Sequence, residues 1–393
     1  MSMSERKETT LGEVAKFQNG YPFKSAELTG VGLPVVRIKQ LLDPSVECDL
    51  SDVAVSRNFH VDDGDLIFSW SATLASRIWN RGPAILNQHL FRVIEGAGVE
   101  RLWLHYVLDH AIDELALKTH GTTMKHVTKK VLQEHQISLP PLPEQRRIVD
   151  VMSAVDAQIE ALRRESEFAK RALEQCRSLV PNGERVPIGE IIMGIDSGKS
   201  VLTAGDLPRS GDPRILKVSA VGSGVFRPSE AKHLSASMPA TALVSAGDLL
   251  MTRSNTPDRV GYCALAREVP EPTYMPDLIW RIRVDTSRCT ASYLEQVLAS
   301  PEMRRHVTAT ATGTSASMRK INKKNLAAVR VVVPDLADQE VYVEDCRAVS
   351  AVAATLSAEA EALRAFRSSL LTALLSQTIT IPEAYDAVLE VAA

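Results

Sequence analysis

HGTTMKHVTKKVLQEHQISLPPLPEQ, from His120 to Gln145, and TGTSASMRKINKKNLAAVRVVVPDLADQ, from Thr312 to Gln339, are two versions of one stretch, the second with two extra residues after its Gly-Thr. Further matches lie upstream in the same order. LGEV at Leu11 answers IGEI at Ile188, PVVRI at Pro34 answers RILKV at Arg214, GDLIFSWSAT at Gly64 answers GDLLMTRSNT at Gly247, and LFRV at Leu90 answers IWRI at Ile279. LWLHYVL from Leu102 and SYLEQVL from Ser292 continue the series as helix-like segments. The offset between partners drifts only from 177 to 194, so the 393-residue chain is a duplication. Its length suits two domains, and the mixture of strand-like and helix-like segments makes each of them α/β (α+β).

Each copy ends in a long helical segment. After Glu144, the residues Ile148, Met152, Val155, Ile159, Leu162, Ser166, Ala169, Leu173, Cys176 and Val180 step by four and three, the spacing of a coiled-coil seam. The second register reads Tyr342, Cys346, Val349, Ala353, Leu356, Ala360, Leu363, Arg367, Leu370 and Leu374, with Phe366 beside its one charged position. Small residues in both seams allow close approach, so each helix is expected to pair antiparallel with the other; packing of each on its own domain is the alternative. Pro140, Pro141 and Pro143 hold the preceding segment extended, which predicts a helix start at Glu144 and not before. At ~1.5 Å per residue, a helix over 144–180 would be roughly 55 Å long and act as a spacer. The expected division is a domain over 1–143, a helix over 144–180, a domain over 181–337, a helix over 338–377 and a C-terminal tail over 378–393.

Composition narrows the function classes. Hydrophobic residues make up 45% and charged residues 24% of the chain, and no apolar run approaches the ~20 residues of a membrane helix. The start, MSMSERKETT, has no apolar signal segment, which predicts a cytoplasmic protein without a membrane partner. Five scattered cysteines without a C-x-x-C pair indicate neither a disulfide framework nor a zinc site. The net charge of −3 is unremarkable, but two stretches are basic and free of acids. Lys118, Lys125, Lys129 and Lys130 lie in one, and Arg304, Arg305, Arg319, Lys320, Lys323, Lys324 and Arg330 in the other. One such run alone could be a solvated face; two at matching places in a duplication suggest a shared polyanionic partner.

ISLPPLPEQRRIVDVMSAVDAQIEAL, from Ile137 to Leu162, resembles the central region of the DNA-specificity subunit of type I restriction-modification systems, and VVVPDLADQEVYVEDC from Val331 resembles a degenerate second copy. NGYPFKS at Asn19 and the Gly-Thr at Gly121 resemble segments of that family's target-recognition domains. The resemblance covers essentially the whole chain. It implies two pseudo-twofold-related target-recognition domains separated by two long antiparallel coiled-coil helices. It also implies a subunit without catalysis, which reads a bipartite double-stranded DNA target with one half-site per domain. Methyltransferase subunits would bring S-adenosylmethionine, and restriction/translocase subunits would bring ATP and Mg for phage defence. This chain itself would hold no cofactor and no metal. Pro143, Glu144, Gln145, Arg146 and Arg147 are the expected partner-docking residues; PDLADQE lacks the repeated prolines and the basic pair, which predicts a weaker or different second docking point.

Chemistry can be tested independently. MGIDSGKS, Met193 to Ser200, ends like a phosphate loop, but Met193 stands where the first glycine belongs and the proline- and glycine-broken segment that follows opens no helix. It falls opposite FQNGYPFKS in the repeat, which predicts a turn, with Lys24 and Lys199 as candidates for DNA phosphate. The only Pro-Pro, in LPPL, lacks the polar and aromatic flanks of an amino-methyltransferase box. VGSG at Val221 reads as a turn. Glu230 and Lys232 with Asp212 fit a metal nuclease only loosely, and His105 and His110, five residues apart, do not share a helix face as metal ligands. A stand-alone nuclease or NTPase, and a coiled-coil interaction protein without DNA, are the rival readings.

Candidates for DNA contact follow from duplicated position and side-chain chemistry. Thr122, Thr123, Lys125, His126, Lys129 and Lys130 in the first copy match Thr314, Ser315, Ser317, Arg319, Lys320, Asn322, Lys323 and Lys324 in the second. Most should touch phosphate, which gives affinity and register without reading sequence. Base reading should come from places where the copies differ. Trp70, Ser71, Thr73 and Arg77 stand where the second copy has Arg253, Ser254, Asn255 and Arg259; Asn87, Gln88 and His89 are further candidates. Half-site centres are expected roughly 10 bp apart, one helical turn.

Overall fold

A computed structural model describes residues 6–117, 126–199, 207–234, 238, 240–312 and 318–386. The chain forms two compact units: the first takes Met1–Ala161 with Glu359–Ala393, and the second Leu162–Ala358. Mixed helix and sheet, repeated in two domains, is the observed fold class.

In the first unit the strands are β1 (Lys7–Thr10), β2 (Ala15–Asn19), β3 (Leu33–Val36), β4 (Asp49–Ser51), β5 (His60–Val61), β6 (Leu66–Ser69), β7 (Ala75–Ile78), β8 (Ala84–Leu86), β9 (Leu90–Glu95) and β10 (Gln136–Leu139). The helices are α1 (Leu11–Val14), α2 (Ile38–Leu42), α3 (Arg101–Leu117), α4 (Lys129–Gln133) and the start of α5 (Leu142–Ser178). One four-stranded sheet runs β2-β9-β6-β7, all antiparallel; a second runs β4-β3-β8-β5 with β3 and β8 parallel; β1 pairs with β10. The apolar run LIF of β6 is explained by its two faces. Leu66 and Phe68 enter the core under α3, with Phe17, Phe91 and Trp103, while Ile67 enters the core of the second sheet with Val36, Trp79 and Leu86. A strand between two cores has no polar face to alternate.

The second unit repeats the plan. Its strands are β11 (Glu184–Pro187), β12 (Ile192–Ser197), β13 (Arg214–Leu216), β14 (Ala231–His233), β15 (Leu249–Thr252), β16 (Ser254–Asn255), β17 (Cys263–Leu265), β18 (Thr273–Tyr274), β19 (Ile279–Val284), β20 (Arg319–Lys320) and β21 (Arg330–Val333). Its helices are α6 (Ala291–Ala299), α7 (Pro301–Ala309), α8 (Lys323–Ala328) and the start of α9 (Leu336–Leu375). The sheet β12-β19-β15-β17 reproduces β2-β9-β6-β7, β14-β13-β18 reproduces three strands of the second sheet, and β11–β21 reproduces β1–β10. Leu249 and Met251 enter one core and Leu250 the other, as in β6. The helix that is continuous in α3 is broken here at Ser300–Pro301, where Ser300 ends α6 and its hydroxyl caps α7.

Two repeated motifs now have physical causes. In each GDL the glycine holds a left-handed φ, 90° at Gly64 and 91° at Gly247. The aspartate beside it accepts a backbone N–H, from Asp62 to Asp65 and from Ser245 to Asp248, both at 2.9 Å. It also pairs with an arginine of the neighbouring strand, Arg92 at 2.9 Å and Arg281 at 3.3 Å. The second motif is the glutamine opening each long helix. Gln145 donates to the carbonyls of Pro140 (2.8 Å) and Gly98 (3.0 Å) and accepts from the Glu100 N–H (2.7 Å). Gln339 donates to Pro334 (3.0 Å) and Arg288 (2.9 Å) and accepts from the Thr290 N–H (2.9 Å). Both side chains are buried.

The long helices start two residues earlier than the sequence reading, at Leu142 and Leu336, and end two residues earlier, at Ser178 and Leu375. Pro143 lies inside the first turn of α5, where its missing N–H has no intrahelical partner to lose. In the first unit Ile148 and Met152 of α5 share a core with Leu371 and Leu374 of α9, and Arg367 bonds Asp156 and, at 3.2 Å, Asp109. The charged seam position is thus an ion-paired one, while Phe366 beside it is exposed. In the second unit Ser166 meets Ser357 at 2.8 Å and Cys176 meets Cys346 at 3.4 Å. The order of these contacts makes the segments of α5 and α9 within that unit antiparallel.

Candidate nucleic-acid interface

A short bridge joins the segment after GDL to the basic segment in each unit. In the second unit β16 pairs with β20, Ser254 opposite Lys320 and Asn255 opposite Arg319, and the Ile321 N–H donates to the Arg253 carbonyl at 3.0 Å. In the first unit Ser71 bridges to His126, and the Val127 N–H donates to the Trp70 carbonyl, also at 3.0 Å. The two groups of candidates therefore meet at one edge in each copy. A short helix follows at once, capped by the Thr128 hydroxyl before Lys129 and Lys130, and by the Asn322 side chain before Lys323 and Lys324. All four lysines are exposed at helix starts, where the helix dipole adds to their positive field.

The edges differ in what they present. At the first, the Trp70 ring stacks on Phe91 at 5.8 Å, lies 5.7 Å from His89 and 5.8 Å from His126, and donates its N–H to the Gln88 carbonyl at 3.2 Å. At the second, Arg253 lies 5.9 Å from the centroid of the Trp280 ring. A concavity of about 430 Å³ opens there, lined by Ser197, Arg253, Trp280, Thr312, Lys320, Ile321, Asn322 and Lys323. Among the described residues no carboxylate lines it. The Lys323 ammonium donates to the Ile195 carbonyl at 2.6 Å, and Arg319, Lys320 and Lys324 are exposed.

Other candidates are dispersed or occupied. Lys24, Thr73, Arg77, Lys199 and Arg259 are exposed; Arg77 donates to the Ser76 carbonyl and Arg259 lies 3.5 Å from Asp258. Lys130 lies 3.7 Å from Glu134. Asn255 accepts from the Thr256 N–H at 2.9 Å, which ties it into its own turn. Gln88 and His89 are half-buried. Ser71, Ser254 and Asn87 are buried, the serines inside the bridge and Asn87 in a turn where it accepts from the His89 N–H and donates to Gln88. Their role in the structure is to shape the edge. Thr122, Thr123, Lys125, Thr314, Ser315 and Ser317 lie outside the described residues.

The docking set also divides. Pro143 and Arg146 are exposed, but Gln145 is the buried clamp described above, Glu144 pairs with Arg6 at 2.6 Å, and Arg147 is buried against Asp386 at 2.8 Å. These three hold the unit together and do not form an open surface. In MGIDSGKS, residues 193–197 lie in β12, and a Cβ on Gly198 would fall 1.8 Å from the Met275 carbonyl oxygen. At Gly20, its match in the first copy, a Cβ would fall 2.3 Å from the carbonyl oxygens of Leu86 and Asn87. Both glycines serve the close approach of one strand end to its neighbour, and no helix N-terminus follows within the described residues. His105 is packed, its Nδ1 2.8 Å from the Ser76 hydroxyl, and burial pushes its pKa below 6.5 with Asp109 opposing. Among the described residues no three His, Cys, Asp or Glu side chains converge as a metal site, and no helix is long and apolar enough to cross a membrane. Ser197, Trp280, Thr312 and Ile321 line the concavity without being among the sequence candidates; the repeat of LFRV as IWRI is the signal for the tryptophan.

The family model described as the type I restriction modification DNA specificity domain matches residues 3–168. Over that stretch the chain is similar to this domain. The EcoBI specificity subunit of Escherichia coli is 26% identical over 174 residues, 44% of this chain and 36% of that subunit, so the match spans about a third of that relative. The MjaVIII specificity subunit of Methanocaldococcus jannaschii is 22% identical over 350 residues, 82% of this chain and 80% of that one. The crystal structure of a type I restriction-modification S subunit from M. genitalium has the same fold, with a TM-score of 0.55 at 12% identity over 95% of this chain and 97% of that one.

Proposed function

We propose that this chain is the DNA-specificity subunit of a type I restriction-modification complex, reading a bipartite double-stranded target with one half-site per unit. The observation that carries the reading is the duplicated bridge: in both copies it sets paired lysines beside side chains that differ between the copies. Shared cations suit the phosphate backbone and differing neighbours suit two different half-sites. The specificity domain matched over residues 3–168 supports the same reading. Methyltransferase and restriction/translocase subunits are the partners, in the cytoplasm, and the chemistry that uses S-adenosylmethionine, ATP and Mg belongs to them; this chain is non-catalytic.

Binding of the purified chain to mixed-sequence duplex across a salt series tests it. Affinity should fall steeply with salt, since each phosphate contact contributes a log–log slope of about −0.9. A flat salt response would favour an interaction protein without a DNA role. Turnover of ATP or DNA by the chain without added subunits would favour a stand-alone enzyme.

A further inference from the structure

The copies keep lysines at matching places, Lys129 with Lys323 and Lys130 with Lys324, yet at the head of the bridge Trp70 answers Arg253. A cation that meets only phosphate is useful in both halves and has no reason to be replaced by an aromatic ring in one of them. A side chain that reads a base must differ wherever the half-sites differ.

Arg253 is placed to do so. Its backbone is held from both sides, the N–H donating to the Leu278 carbonyl at 2.9 Å and the carbonyl accepting from Ile321 at 3.0 Å. Its guanidinium lies over Trp280, 5.9 Å from the ring centroid, a contact that orders the side chain without consuming its N–H donors. Among the described residues no hydrogen bond or ion pair engages that guanidinium, and it is half-buried in the concavity while Lys320, Asn322 and Lys323 stand exposed around it. A positioned fork of donors, set back behind a rim of exposed cations, matches two adjacent acceptors. Guanine offers such a pair, O6 and N7, in the major groove, whereas adenine offers one acceptor beside a donor.

We propose that Arg253 reads a guanine in the half-site facing the second unit, donating to O6 and N7, and that the other half-site has no counterpart of this contact. This rests on the DNA-reading function proposed above. The test is selection from a randomised duplex library by the complex of the chain with its modification subunits, comparing the natural protein with Arg253→Ala and Arg253→Lys. Thermal melting of both variants confirms that they fold. One guanine position in one half-site should lose its preference, discrimination there falling about 5- to 150-fold. Arg253→Lys should retain only part of the preference, since an ammonium can donate to O6 and N7 but lacks the rigid planar fork that fixes both bonds. An unchanged motif with uniformly weaker binding would make Arg253 a phosphate contact and overturn the inference, leaving the DNA-reading function standing. If the natural protein selects no motif, the function fails and the inference fails with it.

Discussion

The two bridge edges share a backbone and differ in side chains. Trp70 is closed in by Phe91, His89 and His126 and spends its N–H on the Gln88 carbonyl, whereas Arg253 stands on Trp280 over an open basic concavity. Elsewhere the copies agree closely: the same sheet order, the same aspartate in GDL and the same three bonds from the glutamine that opens each long helix. Duplication has kept what folds each unit and changed what each unit shows. Substitutions in the shared framework should therefore cost both units alike, and substitutions at the bridge should not.

The largest effect is expected at the clamp. Gln145→Ala and Gln339→Ala each strip partners from two carbonyls and one N–H beside a buried helix start, and each should cost about 3 kcal/mol. Chemical denaturation checks this, and costs differing by more than about 2 kcal/mol would break the equivalence. At the bridge the expectation is asymmetric. Trp70→Ala removes a stacked, half-buried ring and should cost about 2 kcal/mol of stability, while Arg253→Ala should stay within about 0.5 kcal/mol because, among the described residues, no hydrogen bond or ion pair engages its guanidinium. Equal losses would mean that Arg253 is structural.

How much of this was legible in the sequence follows from the kind of interaction involved. The repeat, the mixed fold and the seams of the long helices could be read because apolar periodicity and ordered self-similarity survive in one dimension. Pairing within the long-helix seam also made Arg367 look misplaced, since its partners Asp109 and Asp156 are distant in sequence. Residue roles at the edge are not separable in the sequence: burial of Ser71 and Ser254 depends on a backbone bridge, and that of Asn87 on a turn, that no local pattern announces. Gln145 and Arg147, docking residues by the resemblance, have bonds that run to Gly98 and to Asp386, partners distant in sequence.

Two smaller effects sharpen the comparison further. Replacing Lys129 and Lys130 by alanine, or Lys323 and Lys324, should lower the magnitude of the log–log salt slope for mixed-sequence DNA by about 2 in either case. A change confined to one pair would assign DNA binding to one unit alone. The smallest effect concerns acid. His105 occupies the place that buried Glu295 holds in the second unit, and its folded pKa lies below 6.5 through burial. The folded state thus binds this proton less readily than the unfolded chain, so its contribution is complete above pH 6.5 and lost as pH falls through the depressed value. His105→Gln should flatten the fall in melting temperature below pH 6.5; an unchanged slope would place the acid sensitivity elsewhere.

Methylation mapping tests the proposal that each unit reads its own half-site. The chain, assembled with its modification subunits, is offered a library of fully randomised duplexes, and methylated molecules are sequenced. The expected result is a motif of two different specified halves with an unspecified spacer between them. A single contiguous motif, or methylation without sequence preference, would contradict it.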